Sequence, residues 1–199
     1  MIALDSSTSR HDPPTRREHS LPDATLKHDV DKLTLTPIGV IHSEHREPAR
    51  TPIQPVCAQG VPGRVEVFPE YADGLDDVEG FSHLYLIYWF HRLEDLGEPA
   101  AERPRLKVVP YLDDVARGVF ATRSPLRPSP IGLSIVRLVE RRGTELLVED
   151  LDALDGTPLL DIKPYVERFD LRLDTRGGWT DEVSPETFRC RGERRSERQ

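Results

Sequence analysis

The chain of 199 residues has little or none of several features that define large classes of protein. It has two cysteines, Cys57 and Cys190, too few for a disulfide framework or a cysteine-based zinc site. No apolar run approaches the roughly 20 residues that cross a bilayer, and the first residues lack the apolar core of a signal peptide. These absences predict a soluble, cytoplasmic protein with no membrane partner.

The common nucleotide-binding and metal-binding motifs are also missing. No GxGxxG follows a predicted strand, no GxxxxGK[ST] occurs, and no HExxH or comparable pattern suggests a bound metal. The formal net charge of −8 does not indicate a binder of nucleic acid or membranes. Residues 101–143 nevertheless contain nine Lys and Arg against four Asp and Glu. This local excess is compatible with a basic face and with ordinary solvated surface charge, the simpler of the two.

Apolar residues recur mainly with a period of two, in short runs separated by turn signals. This pattern predicts extended strands over residues 33–43, 64–68, 81–90, 105–112, 118–122, 132–140, 145–149 and 158–163. No region has a helical stripe longer than two turns. The pattern therefore favours an all-β antiparallel barrel or sandwich over a parallel α/β sheet.

The two ends of the chain differ in composition from its middle. Residues 1–32 are rich in Ser, Thr, Asp, Arg, His and Pro, and they cannot bury enough apolar surface to offset the entropy lost on ordering. The end of the chain, RCRGERRSERQ, is strongly charged. We predict a disordered N-terminal tail over 1–32, a folded domain over 33–182 and a charged C-terminal tail over 183–199.

The most unusual stretch of the chain is residues 118–138, GVFATRSPLRPSPIGLSIVRL. Proline fixes φ and biases the preceding residue towards extended conformations, so three prolines predict a stiff loop presenting Arg123 and Arg127. Arginine binds carboxylate or phosphate with paired hydrogen bonds. Two further candidate site loops are residues 52–55 and the tight turn at 154–158. The residues alone predict an all-β domain with a site for an anionic or zwitterionic small ligand.

Four blocks of sequence resemble the TsaA/TrmO-like methyltransferase family: TPIGVIHS, EGFSHLYLIYWFHR, GVFATRSPLRPSPIGLS and LDALDGTPLLDIKPY. They occur in the family's order and spacing. The resemblance implies a six-stranded antiparallel β-barrel with short helices, long loops and flexible termini. It also implies a homodimer that binds S-adenosylmethionine near the subunit interface. The implied reaction is methylation of N6 of threonylcarbamoyl-adenosine beside the anticodon of tRNA.

The resemblance also implies site residues at matching positions of this sequence. Arg127 and Ser129 would face the substrate, and His91 would serve as general base if the reaction uses one. Arg123 suits the methionyl carboxylate of the cofactor, while Asp155 suits its amino group or ribose. The complete implied set of cofactor-binding residues is Pro52, Ile53, Gln54, His91, Arg92, Arg123, Leu133, Ile135, Asp155, Gly156, Thr157 and Pro158.

Two departures from the family leave the substrate open. The family loop commonly contains RPNPIG, whereas this chain has RPSPIG, so Ser129 offers a shorter side chain than asparagine. The further C-terminal domain of the well-known bacterial tRNA enzymes is also not expected here. Two alternatives therefore stand beside the tRNA enzyme: the same barrel methylating a small metabolite, and a non-catalytic module that only binds the cofactor.

Overall fold

The structure, a computed structural model that describes residues 33–96 and 105–193, is built mainly of β-strands. In those residues the strands are β1 (Gly39–Ser43), β2 (Pro62–Val67), β3 (His83–Trp89), β4 (Lys107–Val108), β5 (Arg117–Gly118), β6 (Ile131–Arg142), β7 (Glu145–Glu149) and β8 (Thr157–Pro164). The α-helices are α1 (Glu167–Asp170) and α2 (Pro185–Gly192). The 3-10 helices are Pro48–Arg50, Pro55–Cys57, Pro69–Leu75, Val78–Gly80, Leu93–Leu96, Val119–Ala121 and Gly178–Glu182. None of these helices is long and apolar enough to cross a membrane.

Six of the strands form a closed antiparallel barrel in the order β1-β2-β7-β6-β3-β8. The ring closes because β8 pairs with β1 on one edge and with β3 on the other. Strand β6 is long enough to pair with both β3 and β7, with a register shift between Leu138 and Glu140. The short strands β4 and β5 form a separate two-stranded sheet. The prediction of a six-stranded antiparallel β-barrel is confirmed.

The barrel interior is filled by the side chains that alternate inwards along each strand. On β3, for example, Leu84, Leu86 and Tyr88 are buried, whereas Trp89 is exposed. Burial of each such apolar side chain contributes about 1.5–3 kcal/mol. The fully buried members of this core include Ile41, Val65, Leu84, Leu86, Val136, Leu146, Leu151 and Leu159.

Gly132 allows the ring of Tyr88 to lie across strand β6. The two residues are paired in register, and a Cβ on Gly132 would lie 2.1 Å from the Tyr88 ring. A larger residue there would expel the ring from the barrel. The glycine therefore fixes where the Tyr88 hydroxyl lies inside the barrel.

Some strands of the structure are shorter than the strands predicted from the sequence. Instead of the strands predicted over 33–43 and 105–112, the structure has Gly39–Ser43 and Lys107–Val108. Both segments contain a proline, which cannot donate a ladder hydrogen bond. The strand predicted over 118–122 is wrong for most of its length, because Val119–Ala121 form a 3-10 helix.

The segment expected to be a charged C-terminal tail contains helix α2. Ser184 caps the helix by accepting a hydrogen bond from the Thr187 N–H at 3.1 Å, and Pro185 occupies the first turn. Ser followed by Pro is a sequence signal for a helix start, so this part of the chain is more ordered than its charge suggested. The tail predicted over 1–32 lies outside the described residues.

One end of the barrel collects the predicted site residues. Strands β1, β3 and β7 finish there, and β2, β6 and β8 begin there, as shown by the pairs Ser43–Gly63, Trp89–Ile131 and Ile41–Thr157. We call this end the site end. The antiparallel register thus gathers loops that are far apart in sequence.

Candidate functional site

His91 follows β3 directly and contacts the first residue of β8. The Thr157 hydroxyl lies 3.2 Å from His91 Nδ1 and 2.7 Å from the Leu154 carbonyl oxygen. Because the hydroxyl has one proton and donates it to Leu154, it accepts a hydrogen bond from the Nδ1–H of His91. The neutral ring therefore keeps its lone pair on Nε2.

The surroundings of His91 favour its neutral form. Burial lowers the pKa of His91, and the neighbouring Arg92 charge lowers it further, whereas a hydrogen bond to the Asp155 backbone opposes both effects. A neutral imidazole can accept a proton from a ligand on the ring nitrogen that carries no hydrogen, which the Thr157 contact assigns to Nε2. The geometry therefore gives His91 the form that a general base requires.

Arg92 holds the segment after β3 against the segment after β1. Its backbone is left-handed, with φ of 56°, which is uncommon for a residue other than glycine. Its guanidinium donates hydrogen bonds to the Asp95 carboxylate at 2.6 Å and to the Arg46 carbonyl at 3.1 Å. Local backbone strain of this kind persists where the surrounding structure enforces it, and it is often found at functional sites.

Asp155 fixes the turn between β7 and β8 to the end of β1. One carboxylate oxygen accepts the Ser43 N–H at 3.1 Å, and the other pairs with the Arg46 guanidinium. Gly156 then takes the left-handed backbone, with φ of 77°, that this tight turn requires. The structure thus brings five predicted residues into one rim cluster: His91, Arg92, Asp155, Gly156 and Thr157.

A second contact joins two predicted cofactor residues from distant loops. The exposed Arg123 guanidinium donates a hydrogen bond to Gln54 Oε1. Ile53, beside Gln54, donates its backbone N–H to the Gly192 carbonyl at 3.1 Å. Pro52, by contrast, is buried.

A buried acid that the sequence did not single out lies between these two groups. The Tyr88 hydroxyl lies 3.0 Å from Ser134 Oγ, and Ser134 donates a hydrogen bond to Asp152 Oδ1. Asp152 belongs to the same loop as Asp155, and its carboxyl interacts electrostatically with Arg123. The sequence signal for this buried group was that Ser134 and Asp152 are polar residues within otherwise apolar segments, which is unusual in a barrel core.

Burial raises the pKa of Asp152 to about 7, while the Ser134 hydrogen bond and the Arg123 charge act in the opposite direction. Burial also raises the pKa of Tyr88 and, more weakly, that of Cys57, and the charge of Asp152 contributes to both shifts. A carboxyl with a pKa near neutrality in a ligand-facing loop is a mark of functional sites.

Leu133 and Ile135 are not turned towards the rim cluster. They are 55% and 38% exposed on the outer face of β6, whereas Ser134 between them points inwards. Among the substrate candidates, Ser129 is exposed, and the Arg127 guanidinium makes no hydrogen bond or ion pair with the described residues. Pro158 is half-buried on β8. The roles predicted for these residues stay predictions.

Four arginines of the basic segment form ion pairs, two with acids of the same segment and two with acids elsewhere in the fold. The ion pairs are Arg117–Asp113 at 2.7 Å, Arg142–Glu140 at 2.6 Å, Arg141–Glu79 at 3.3 Å and Arg137–Glu149. Arg123 and Arg127 form no such pair within the described ranges. The local excess is therefore mainly ordinary surface charge, with two arginines left unpaired by acids.

Two further observations limit the site. Residues 33–96 and 105–193 contain no group of three His, Cys, Asp or Glu side chains placed to hold a metal ion. A cavity of about 570 Å³ lies around the opposite ends of β1 and β8, against Ile38, Val67, Leu75, Leu84 and Ile162. It contains none of the predicted site residues.

A closed antiparallel barrel with an arginine–histidine site at one end defines the class of protein. Residues 40–171 match the tRNA-methyltransferase O N-terminal domain, more than half of the chain. The chain belongs to this family, which confirms the resemblance to TsaA/TrmO-like methyltransferases.

Individual relatives support the assignment over different shares of their length. A probable S-adenosyl-L-methionine-binding protein of Pyrococcus abyssi is 54% identical over 145 residues, covering 73% of this chain and 74% of that protein. The tRNA (adenine(37)-N6)-methyltransferase of Escherichia coli is 40% identical over 65% of this chain and 56% of the relative. The crystal structure of TrmO from Pseudomonas aeruginosa matches with a TM-score of 0.59 and 35% identity, over 74% of this chain and 62% of that one. The chain therefore spans little more than half of the last two proteins.

The raised pKa of Asp152 predicts a specific pH dependence of stability. The neutral acid is favoured in the folded state, so its stabilising effect is full below pH 3.8 and is lost as the pH rises towards 7. The free energy of unfolding of the parent should fall by at most about 1.4 kcal/mol per pH unit in this range, and Asp152→Asn should abolish this fall. Urea unfolding between pH 4 and pH 8 measures it, with the exposed Asp174→Asn as control. Parallel curves for the parent and Asp152→Asn would contradict the prediction.

Proposed function

We propose that the chain is an S-adenosylmethionine-dependent N-methyltransferase that acts on N6 of threonylcarbamoyl-adenosine beside the tRNA anticodon. Relatives that bind S-adenosylmethionine or methylate adenine 37 of tRNA support the class of reaction. The observation that carries the proposal in this chain is the convergence of the Gln54–Arg123 contact and the rim cluster at the site end. The threonylcarbamoyl group is the finer part of the proposal and rests on the family resemblance.

The donor set at the site end fits the cofactor. Arg123 has no acidic partner among the described residues and is oriented by Gln54, so its remaining N–H groups are available for the methionyl carboxylate. The Asp152 carboxyl beneath it suits a neighbouring cationic group. The exposed Gly156 and the adjoining Pro158 offer a turn on which the nucleoside can lie. When bound, S-adenosylmethionine supplies a methyl group carried on a sulfonium sulfur.

His91 would remove the proton that methyl transfer displaces. When N6 gains a methyl carbon it gives up its proton, and the unprotonated ring nitrogen of His91 is the acceptor that the rim cluster offers. Thr157 keeps the ring in the required tautomer, as the hydrogen bond on the other nitrogen commonly does for histidine. Arg127 and Ser129, on the adjacent loop, are proposed to hold the acceptor. Their shared stiff loop would limit the reach of both groups.

A small-metabolite substrate is the second candidate. The net charge of −8 and the four ion-paired arginines favour it, because few cations in the described part of the basic segment remain to contact phosphates. Binding of tRNA depends steeply on salt when many phosphates are contacted. A small acceptor would be methylated without measurable tRNA binding at low salt.

The deciding experiment supplies the purified chain with labelled cofactor and tRNA that contains threonylcarbamoyl-adenosine. Nucleoside mass spectrometry should detect the N6-methylated nucleoside, and tRNA lacking the threonylcarbamoyl group should remain unmodified. Methylation of both tRNAs would refute the finer substrate, and transfer to neither would leave the small-metabolite enzyme. Cofactor binding without transfer to any acceptor would identify a binding module.

Arg123 and His91 are expected to affect different kinetic constants. Arg123→Ala removes a charge-assisted hydrogen bond and should weaken cofactor binding by roughly 1.5–3 kcal/mol, or about 10- to 150-fold in Kd. His91→Gln should lower kcat by about 100-fold or more and change Kd less than Arg123→Ala does. Calorimetry and single-turnover assays separate the two, with Arg142→Ala as the control for removal of an exposed arginine. Cofactor binding of Arg123→Ala equal to that of the parent would exclude Arg123 from the site.

The outer face of β6 is the proposed homodimer interface. Ile131, Leu133, Ile135 and Val139 are each more than a third exposed on this face, and Trp89 of β3 lies opposite Ile131. An apolar stripe of this kind marks interaction surfaces. A partner subunit there would also cover Leu133 and Ile135, the two predicted cofactor residues that lie outside the rim cluster.

Leu133→Asp should shift the dimer to monomer, because a charge would be buried at the interface. Sedimentation equilibrium measures the change, with the exposed Leu173→Asp as control. A parent chain that sediments as a monomer at all concentrations would refute the dimer.

A further inference from the structure

The C-terminal strap, residues 178–193, lies outside the matched residues 40–171 and contacts both loops that carry the Gln54–Arg123 pair. The Trp179 indole N–H donates to the Ala121 carbonyl at 2.7 Å, two residues before Arg123. At its other end, the Gly192 carbonyl accepts the N–H of Ile53, the neighbour of Gln54. The two ends of the strap therefore reach the two loops separately.

Further contacts fix the strap to the segment that leads to Arg123. The Arg117 guanidinium lies 5.6 Å from the centre of the Trp179 ring, within range of a cation–π contact. The Arg191 guanidinium pairs with both carboxylate oxygens of Asp114, at 3.0 and 3.3 Å. This pair is exposed and adds little energy alone, and it is a further contact between helix α2 and the segment before Arg123.

Gly192 is the point of closest approach between the strap and the Gln54 loop. It is buried, and a Cβ added to it would lie 2.7 Å from Cys57 Sγ. The same Cβ would meet Cys57 Cβ and Ile53 at 3.8 Å, which is ordinary contact. Among the described residues, the sulfur is therefore the atom that an alanine at this position would have to displace. Cys57 is tied to the loop, since its N–H donates to the Gln54 carbonyl at 2.8 Å.

We propose that the C-terminal strap is a positioning element for the cofactor site and that Gly192 is its principal positioning residue. By holding Ile53 and Cys57 in place, it keeps the Gln54 amide against the Arg123 guanidinium. This inference rests on the proposed function for the identity of the ligand. It places residues outside the family match in control of residues within it.

A size exchange between Gly192 and Cys57 tests the proposal. Gly192→Ala should raise the Kd for S-adenosylmethionine about tenfold, because the Cys57 side chain and the loop that carries it have to yield to the added methyl group. Gly192→Ala/Cys57→Ala removes the obstructing sulfur and should return Kd to near that of Cys57→Ala. Gly74→Ala is the control, since a Cβ there meets nothing within 4 Å.

The paired substitutions separate an effect on positioning from a general loss of stability. Alanine favours helices more than glycine does, so Gly192→Ala should not weaken helix α2 itself. Weaker binding with recovery in the double variant supports the proposal. Unchanged binding in Gly192→Ala, or no recovery in the double variant, overturns it.

Amide hydrogen exchange on the unliganded chain gives a readout that does not depend on the ligand. Faster exchange over 52–58 and 119–124 in Gly192→Ala, reversed in the double variant, supports the coupling of the two loops. If the parent fails to bind S-adenosylmethionine, the proposed function fails. The hydrogen-exchange rates still decide whether the strap positions the loops. Unchanged exchange in both segments overturns that coupling.

Discussion

The pairing of β8 with both β1 and β3 is the constraint on which the fold and the site depend. It closes the barrel, and it also places Thr157 beside His91 and the Asp155 turn beside Ser43. A one-residue slip of β8 would turn Leu159 and Thr157 to the outside. The core and the rim cluster would then be lost together. Selection for a stable barrel and for an ordered site therefore acts on the same register.

Burial of the Asp152 carboxyl lowers the free energy of unfolding, and the barrel core does not require this group. An apolar residue would fill the space without losing the hydration of a carboxyl. The hydrogen bond from Ser134, with Tyr88 behind it, and the charge of Arg123 offset part of this cost. Gly132 is part of the same arrangement, because it admits the Tyr88 ring. Four residues of different strands and loops are thus committed to one polar group beneath the site.

The sequence predicted the barrel strands because their burial alternates locally. Strands β3 and β7 lie close to their predicted positions for this reason. Barrel closure and the identity of the ligand came from the family resemblance, since a period of two does not distinguish a barrel from a sandwich. Contacts such as Ser43–Asp155, which join residues 112 positions apart, leave no local pattern. Asp152 was missed because its partners lie far away in the chain, although its place in an apolar segment was an available signal.

Charge illustrates the difference between composition and arrangement. The arginines of β5 and β6 were counted as a local excess, yet Arg117, Arg137, Arg141 and Arg142 are paired with acids. Arg123 and Arg127 are left without an acid partner in the described part of the chain, both in the loop at the site end. Two arginines release few counterions from a polyanion, so phosphate contacts from this loop would contribute little affinity. If tRNA is the substrate, Arg127 is left to recognise it through the modified base rather than through the phosphate backbone.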